Sequence, residues 1–207
     1  MEYQILNHEK IKYVIRYPDG YKPGERYPVL FYIHGAGGRG NDIDVIKNHT
    51  FFTLTEQHES FPFVSVAPQC YSNTWFDIFE QLQDFVKMIC ASDFCDPARV
   101  YFMGASMGGY TTWQLAMTMP ETVAAIVPIC GGGMNWNTAR LVNVPVWAFH
   151  GDKDTTVYLC ESEMMVNRVK AFGGSAKLTV YEGVGHNAWE PTFNNPEVFE
   201  WLLTNKK

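Results

Sequence analysis

At 207 residues the chain matches one ordinary domain of about 100–200 residues, and with 46% apolar and 18% charged residues it can fill a core, which excludes an intrinsically disordered chain. Sixteen Lys and Arg against 22 Asp and Glu leave a net charge of −6, which argues against nucleic acid or an anionic membrane as the main partner. No apolar run approaches the roughly 18–20 residues of a membrane-spanning helix.

Short apolar runs alternate with helical stretches along the chain. Residues 11–17 read as a strand, and Pro18-Asp19-Gly20 with Pro23-Gly24 supplies the turn after it. Val29–Ile33 is apolar throughout, as expected of a strand covered on both faces. Further strands are predicted over 63–67, 100–103, 124–129, 144–149 and 177–181, with helices near 43–58, 76–91, 107–118, 158–172 and 194–204. In the second helix Phe79, Leu82, Phe85, Val86 and Ile89 recur at steps of three and four, giving one apolar stripe. Asp96-Pro97 is expected to turn the chain into the 100–103 strand. This alternation implies a mostly parallel sheet covered on both faces and joined by right-handed crossovers. One α/β domain over residues 1–207 accounts for the pattern.

The first ten residues lack the basic and apolar blocks of a signal peptide, so a cytoplasmic chain is expected. Five cysteines (Cys70, Cys90, Cys95, Cys130, Cys160) without CxxC spacing are expected as reduced, packed thiols. The six histidines form no HExxH or similar cluster, and no metal is expected.

Ligands of such sheets bind beyond the carboxyl ends of the strands, so the residues after each apolar run matter most. After 100–103 comes Gly104-Ala105-Ser106-Met107-Gly108, a G-x-S-x-G turn between a strand and a helix. The glycines let strand and helix approach without Cβ clashes, lifting the Ser106 hydroxyl to the tip of a strained turn. The helix start beyond it supplies free N–H groups and a positive dipole end for a developing oxyanion. After 29–33 comes His34-Gly35-Ala36-Gly37-Gly38-Arg39-Gly40. It satisfies G-x-G-x-x-G, yet the next strand ends in Pro68-Gln69 without the carboxylate a dinucleotide site needs, and the loop has no P-loop lysine. No cofactor is expected. The loop reads instead as an oxyanion loop, the N–H of Ala36 or Gly37 pairing with that of Met107.

After 144–149 comes His150-Gly151-Asp152-Lys153-Asp154. Asp154 is placed to orient an imidazole because it lies further beyond the strand; Asp152 is assigned to the turn. His150 is expected to be packed. After 177–181, His186 sits on a glycine-flanked loop as the general base. Trp75, Phe76, Trp136 and Trp189 fall beside these segments, and Trp75 and Trp189 are expected to wall the substrate pocket.

Together Ile33-His34-Gly35-Ala36-Gly37-Gly38, Arg99–Gly109, His150–Asp154 and Gly185-His186-Asn187-Ala188-Trp189 resemble the α/β-hydrolase superfamily over residues 25–203. Within it the chain is similar to small carboxylesterases and thioesterases, dienelactone hydrolases, feruloyl and acetylxylan esterases, and polyhydroxybutyrate-depolymerase relatives. The order Ser…Asp…His is that of the fold, and the resemblance places the acid at the second aspartate of HGDxD, Asp154. The stretches between Ser106, Asp154 and His186 are filled by predicted sheet and helix elements, leaving no separate lid domain. Larger members open with an antiparallel strand, which Tyr3–Leu6 partly supplies. The resemblance implies a cofactor-free serine esterase with a covalent acyl-enzyme. Its substrates would be short acyl or hydroxycinnamoyl esters, carbohydrate-linked ones included, and its partner that small molecule. Thioesterase or peptidase use of the same triad, or a non-catalytic scaffold, are the alternatives; oligomeric state is not legible.

Overall fold

The computed structural model describes residues 2–207. One eight-stranded sheet runs through it, built from β1 (Glu2–His8), β2 (Ile11–Tyr17), β3 (Tyr27–Ile33), β4 (Val64–Pro68), β5 (Cys95–Ala105), β6 (Ala125–Ile129), β7 (Val146–Gly151) and β8 (Ala176–Tyr181). The spatial order is β1-β2-β4-β3-β5-β6-β7-β8. β1 and β2 are antiparallel to each other and β2 to β4, and all other neighbours are parallel.

Side-chain alternation assigns the helices to faces. Val29, Phe31 and Ile33 of β3 and Val100 and Phe102 of β5 point into one core. α3 (Phe79–Cys90), α4 (Met107–Thr118) and α5 (Leu159–Ala171) cover it with Leu82, Phe85, Trp113 and Met165. Leu30, Tyr32, Tyr101 and Met103 point the other way. There they meet α1 (Asp44–Lys47), α2 (Thr50–Thr55), α6 (Trp189–Asn194) and α7 (Pro196–Thr204) through Ile46, Phe51, Phe52, Phe193, Phe199 and Leu202. Burial on both faces is why the central strands read as unbroken apolar runs, each large side chain contributing about 1.5–3 kcal/mol. Among the described residues no helix is long and apolar enough to cross a membrane.

Two expectations change in detail. The 43–58 helix is divided into α1 and α2, and His49 between them caps α2 by accepting from the Phe51 N–H at 3.1 Å. β5 already pairs at Cys95, and its register against β3 shifts between Tyr27 and Val29. The Asp96-Pro97 turn is thus an irregularity inside the strand, held by Asp96 accepting from the Ala98 N–H and pairing with Arg99 at 2.6 Å.

β3 lies between β4 and β5, so the winding direction reverses there and a crevice opens at the carboxyl ends of β3 and β5. α4 is jammed against that crevice: a Cβ on Gly108 would stand 1.8 Å from the Ile33 carbonyl oxygen, and one on Gly104 2.4 Å from that of Gly108. Gly108→Ala is therefore expected to destabilise the protein by at least about 2–3 kcal/mol, since backbone cannot move aside. Gly37→Ala, whose Cβ would meet nothing within 4 Å, is expected to stay within about 0.5 kcal/mol. Urea unfolding midpoints of the two variants check the contrast.

Candidate active site

Ser106 stands between β5 and α4 with φ 57° and ψ −121°, a conformation that a non-glycine residue holds only under constraint. Its N–H donates to the Ile129 carbonyl at 2.9 Å, tying the turn to β6. His186, on the loop after β8, lies with Nε2 2.9 Å from Ser106 Oγ and Nδ1 2.7 Å from Asp154 Oδ2. A carboxylate only accepts, so Nδ1 carries the ring proton and Nε2 accepts from the serine hydroxyl. Ser106, His186 and Asp154 are thus brought together in one hydrogen-bonded line.

Asp154 is buried and accepts hydrogen bonds on both carboxylate oxygens. Oδ1 accepts from the N–H groups of Thr156 and Val157, each at 2.9 Å. Oδ2 accepts from His186 and lies 3.3 Å from His150 Nε2. Burial works to raise this carboxyl, but the hydrogen bonds from His186, Val157 and Thr156 outweigh it and hold it below the usual carboxylate range. His150 is packed, as expected: fully buried, with Nδ1 2.8 Å from Ser162 Oγ and Nε2 2.9 Å from the Val157 carbonyl. Asp152 faces away and accepts from the Gly183 N–H at 2.7 Å. Together with the Lys153 N–H on the Val184 carbonyl at 2.9 Å, it straps the Asp154 segment to the loop that carries His186.

A 3-10 turn at Ala36–Gly38 begins beside the serine, and Gly35 would put a Cβ 3.4 Å from that of Ser106. The first N–H groups of a helical turn have no intrahelical partner, which leaves those of Ala36 and Gly37 on one side and Met107 on the other available to an oxyanion. His34 holds this loop. It is fully buried, its Nδ1–H donates to the Gly35 carbonyl at 2.6 Å, and its Nε2 accepts from the Cys70 N–H at 2.9 Å. Burial lowers its pKa to about 4, so the ring is neutral.

The cavity over Ser106 and His186 has a volume of about 370 Å³. Trp189 lines it, edge-on to His186 at 5.3 Å between ring centroids. Trp75 does not wall this cavity. It is fully buried and its indole N–H donates to the His34 carbonyl at 3.0 Å, because the Thr74–Asp77 capping box starts a turn that tucks the ring inward. Tyr32, His49 and Thr156 line the cavity without having stood out in the sequence. Only the tertiary fold brings them there. Cys130, at φ 38°, was likewise unmarked. Its Sγ with Asp154 and His186 offers three ligand atoms within 4.8 Å of one another. The carboxylate and imidazole are spent on each other, and burial pushes the thiol up to about 12, so the set offers no thiolate.

The family model for the dienelactone hydrolase family matches residues 47–197. Among curated relatives, "Probable feruloyl esterase C" of Aspergillus terreus is 22% identical over 161 residues, 76% of this chain and 60% of that protein. "Endo-1,4-beta-xylanase Y" of Acetivibrio thermocellus is 28% identical over 132 residues, 55% of this chain. The chain spans only 12% of that second relative. A solved thermostable esterase superposes with a TM-score of 0.85 at 29% identity, covering 99% of this chain and 63% of that one. The architecture is the α/β-hydrolase fold.

A carboxyl whose folded pKa lies below its unfolded value adds stability that is complete above about pH 5 and lost as pH falls through the folded value. Asp154→Asn is therefore expected to lower the urea midpoint most near neutral pH. The gap from the unsubstituted protein should narrow as the pH is lowered into the acid range; a gap of constant size would contradict the assignment.

Proposed function

The chain belongs to the dienelactone hydrolase family, and from that premise we propose that it is a single-domain serine carboxylic-ester hydrolase acting through Ser106, His186 and Asp154. The observation that carries the reading is the unbroken path of Ser106 Oγ to His186 Nε2 at 2.9 Å and His186 Nδ1 to Asp154 Oδ2 at 2.7 Å, at the edge of a cavity lined by the same serine and histidine.

In this reading His186 takes the hydroxyl proton as Ser106 Oγ attacks the ester carbonyl carbon. Asp154, already holding Nδ1–H, stabilises the imidazolium that forms. The N–H groups of Met107 and Ala36 receive the carbonyl oxygen as its charge develops, where preorganised donors matter most. The tetrahedral intermediate collapses, the C–O bond to the alcohol breaks, and His186 gives that alcohol its proton. Water then repeats the sequence on the acyl-enzyme and frees Ser106. The cycle draws on side chains, two amides and water. Hydroxycinnamoyl esters are the substrates that the name of one relative, a probable feruloyl esterase, favours; short acyl and carbohydrate-linked esters follow from the family resemblance, with Trp189 as an apolar wall.

Ser106→Ala is expected to lower p-nitrophenyl acetate turnover by about 10⁴–10⁶, the triad acting as a unit, while the melting temperature is kept. The unsubstituted protein should gain one fluorophosphonate adduct by intact mass and the variant none. Retained turnover in the variant would remove Ser106 from the role of nucleophile.

A further inference from the structure

We infer that the carboxyl end of β6 sets the spacing of nucleophile and base, and that Cys130 there is a positioning residue holding His186 by its backbone carbonyl. The inference rests on the esterase reading above and names a further residue on which the rate of that reaction depends.

Ile129 and Cys130 are consecutive, and each holds one member of the Ser106–His186 pair. The Ile129 carbonyl accepts from the Ser106 N–H at 2.9 Å. The Cys130 thiol donates to the His186 carbonyl at 3.4 Å, a weak donor but one aimed at the base residue itself. Cys130 is fixed in turn by its own N–H, which donates to the Phe149 carbonyl of β7 at 2.8 Å. It is fully buried and does not line the cavity, so it reaches the reaction only through His186. The straps from Asp152 and Lys153 meet the same loop at Gly183 and Val184; the thiol meets it at the histidine.

The backbone of Cys130 is strained as well. At φ 38° it stands in the left-handed region, where glycine rests easily and a residue with a side chain does not. Among the described residues Glu9, Ser106 and Cys130 are the non-glycine residues with positive φ, and two of the three belong to this contact. The turn after β6 is pressed against α4, since a Cβ on Gly131 would stand 2.6 Å from the Gly109 carbonyl carbon. A strained position that keeps a side chain where glycine would relax it points to a use for that side chain, and the bond to His186 is such a use. Burial pushes the thiol up to about 12, so at neutral pH it stays protonated and remains a donor.

The test compares Cys130→Ala, Cys130→Ser and Cys130→Gly with the unsubstituted full chain. Alanine removes the donor, serine replaces it with a hydroxyl, and glycine removes it while relieving the backbone. Measured are kcat and KM on p-nitrophenyl acetate, the melting temperature, and the NMR resonance of the His186 Nδ1–H, which needs no turnover. Alanine should lower kcat about three- to tenfold, leave KM within about twofold, and shift the His186 resonance. Serine should recover part of kcat and move the resonance back toward its original position. Glycine should melt no lower than alanine yet turn over no faster, which separates a lost bond from lost stability. A resonance shifted by alanine and restored by serine, with no ester turnover in any of the proteins, would sink the esterase reading and leave the positioning role standing. Equal kcat in alanine and the unsubstituted protein, serine no better than alanine, or full turnover in glycine would each overturn the role of Cys130.

Discussion

The backbone of Ser106 is the constraint on which the rest of the site depends. At φ 57° and ψ −121° it costs about 1–3 kcal/mol and relaxes unless both flanking elements are held. They are held by close contact of backbone with backbone. Gly108 sits against the Ile33 carbonyl and Gly104 against Gly108, so α4 is wedged between β3 and β5. The same wedge brings the start of α4 beside the Ala36–Gly38 turn. The exposed hydroxyl of Ser106 and the free N–H groups beside it are therefore outcomes of one packing contact.

Asp154 answers a different problem, that of keeping a carboxylate ionised in a buried place. Two backbone N–H groups on one oxygen and the His186 N–H on the other supply what water would have supplied. A consequence is that His186 has no freedom of tautomer: its Nδ1–H is committed to the carboxylate, and Nε2 is left to face the serine. Asp152 contributes one step further out, where its bond to Gly183 keeps the loops after β7 and β8 in register.

How much of this was legible follows from where each signal resides. Unbroken apolar runs such as Val29–Ile33 and Val100–Met103 reveal strands covered on both faces, and the covering is seen in the two cores. The positions of Ser106, Asp154 and His186 were legible because each follows a strand, and the fold gathers strand ends at one rim. Trp75 was misread for a related reason. Nearness to a motif along the chain does not decide which way a ring points; the capping box at Thr74 decides it. Tyr32 and His49 carried no signal at all, since Tyr32 looks like one more apolar strand residue and His49 fell inside the predicted 43–58 helix. α6 lies outside the predicted helices because Trp189–Asn194 is a short helix with a proline inside it.

The histidines show how burial sorts one residue type into separate tasks. His34 and His49 are buried enough to be neutral at pH 7, and each is then a linker with one fixed donor and one fixed acceptor. His34 uses that asymmetry to join Gly35 to Cys70, which sets the loop presenting the Ala36 amide. His49 uses it to cap α2 while turning a donor toward Tyr32. His150 too lies between a serine hydroxyl and the Asp154 carboxylate, but it is fully buried, whereas about a quarter of the His186 side chain, 23%, is exposed and the ring lines the cavity. The rings with fixed protons build the cavity, and the ring at its edge is the one placed to exchange a proton.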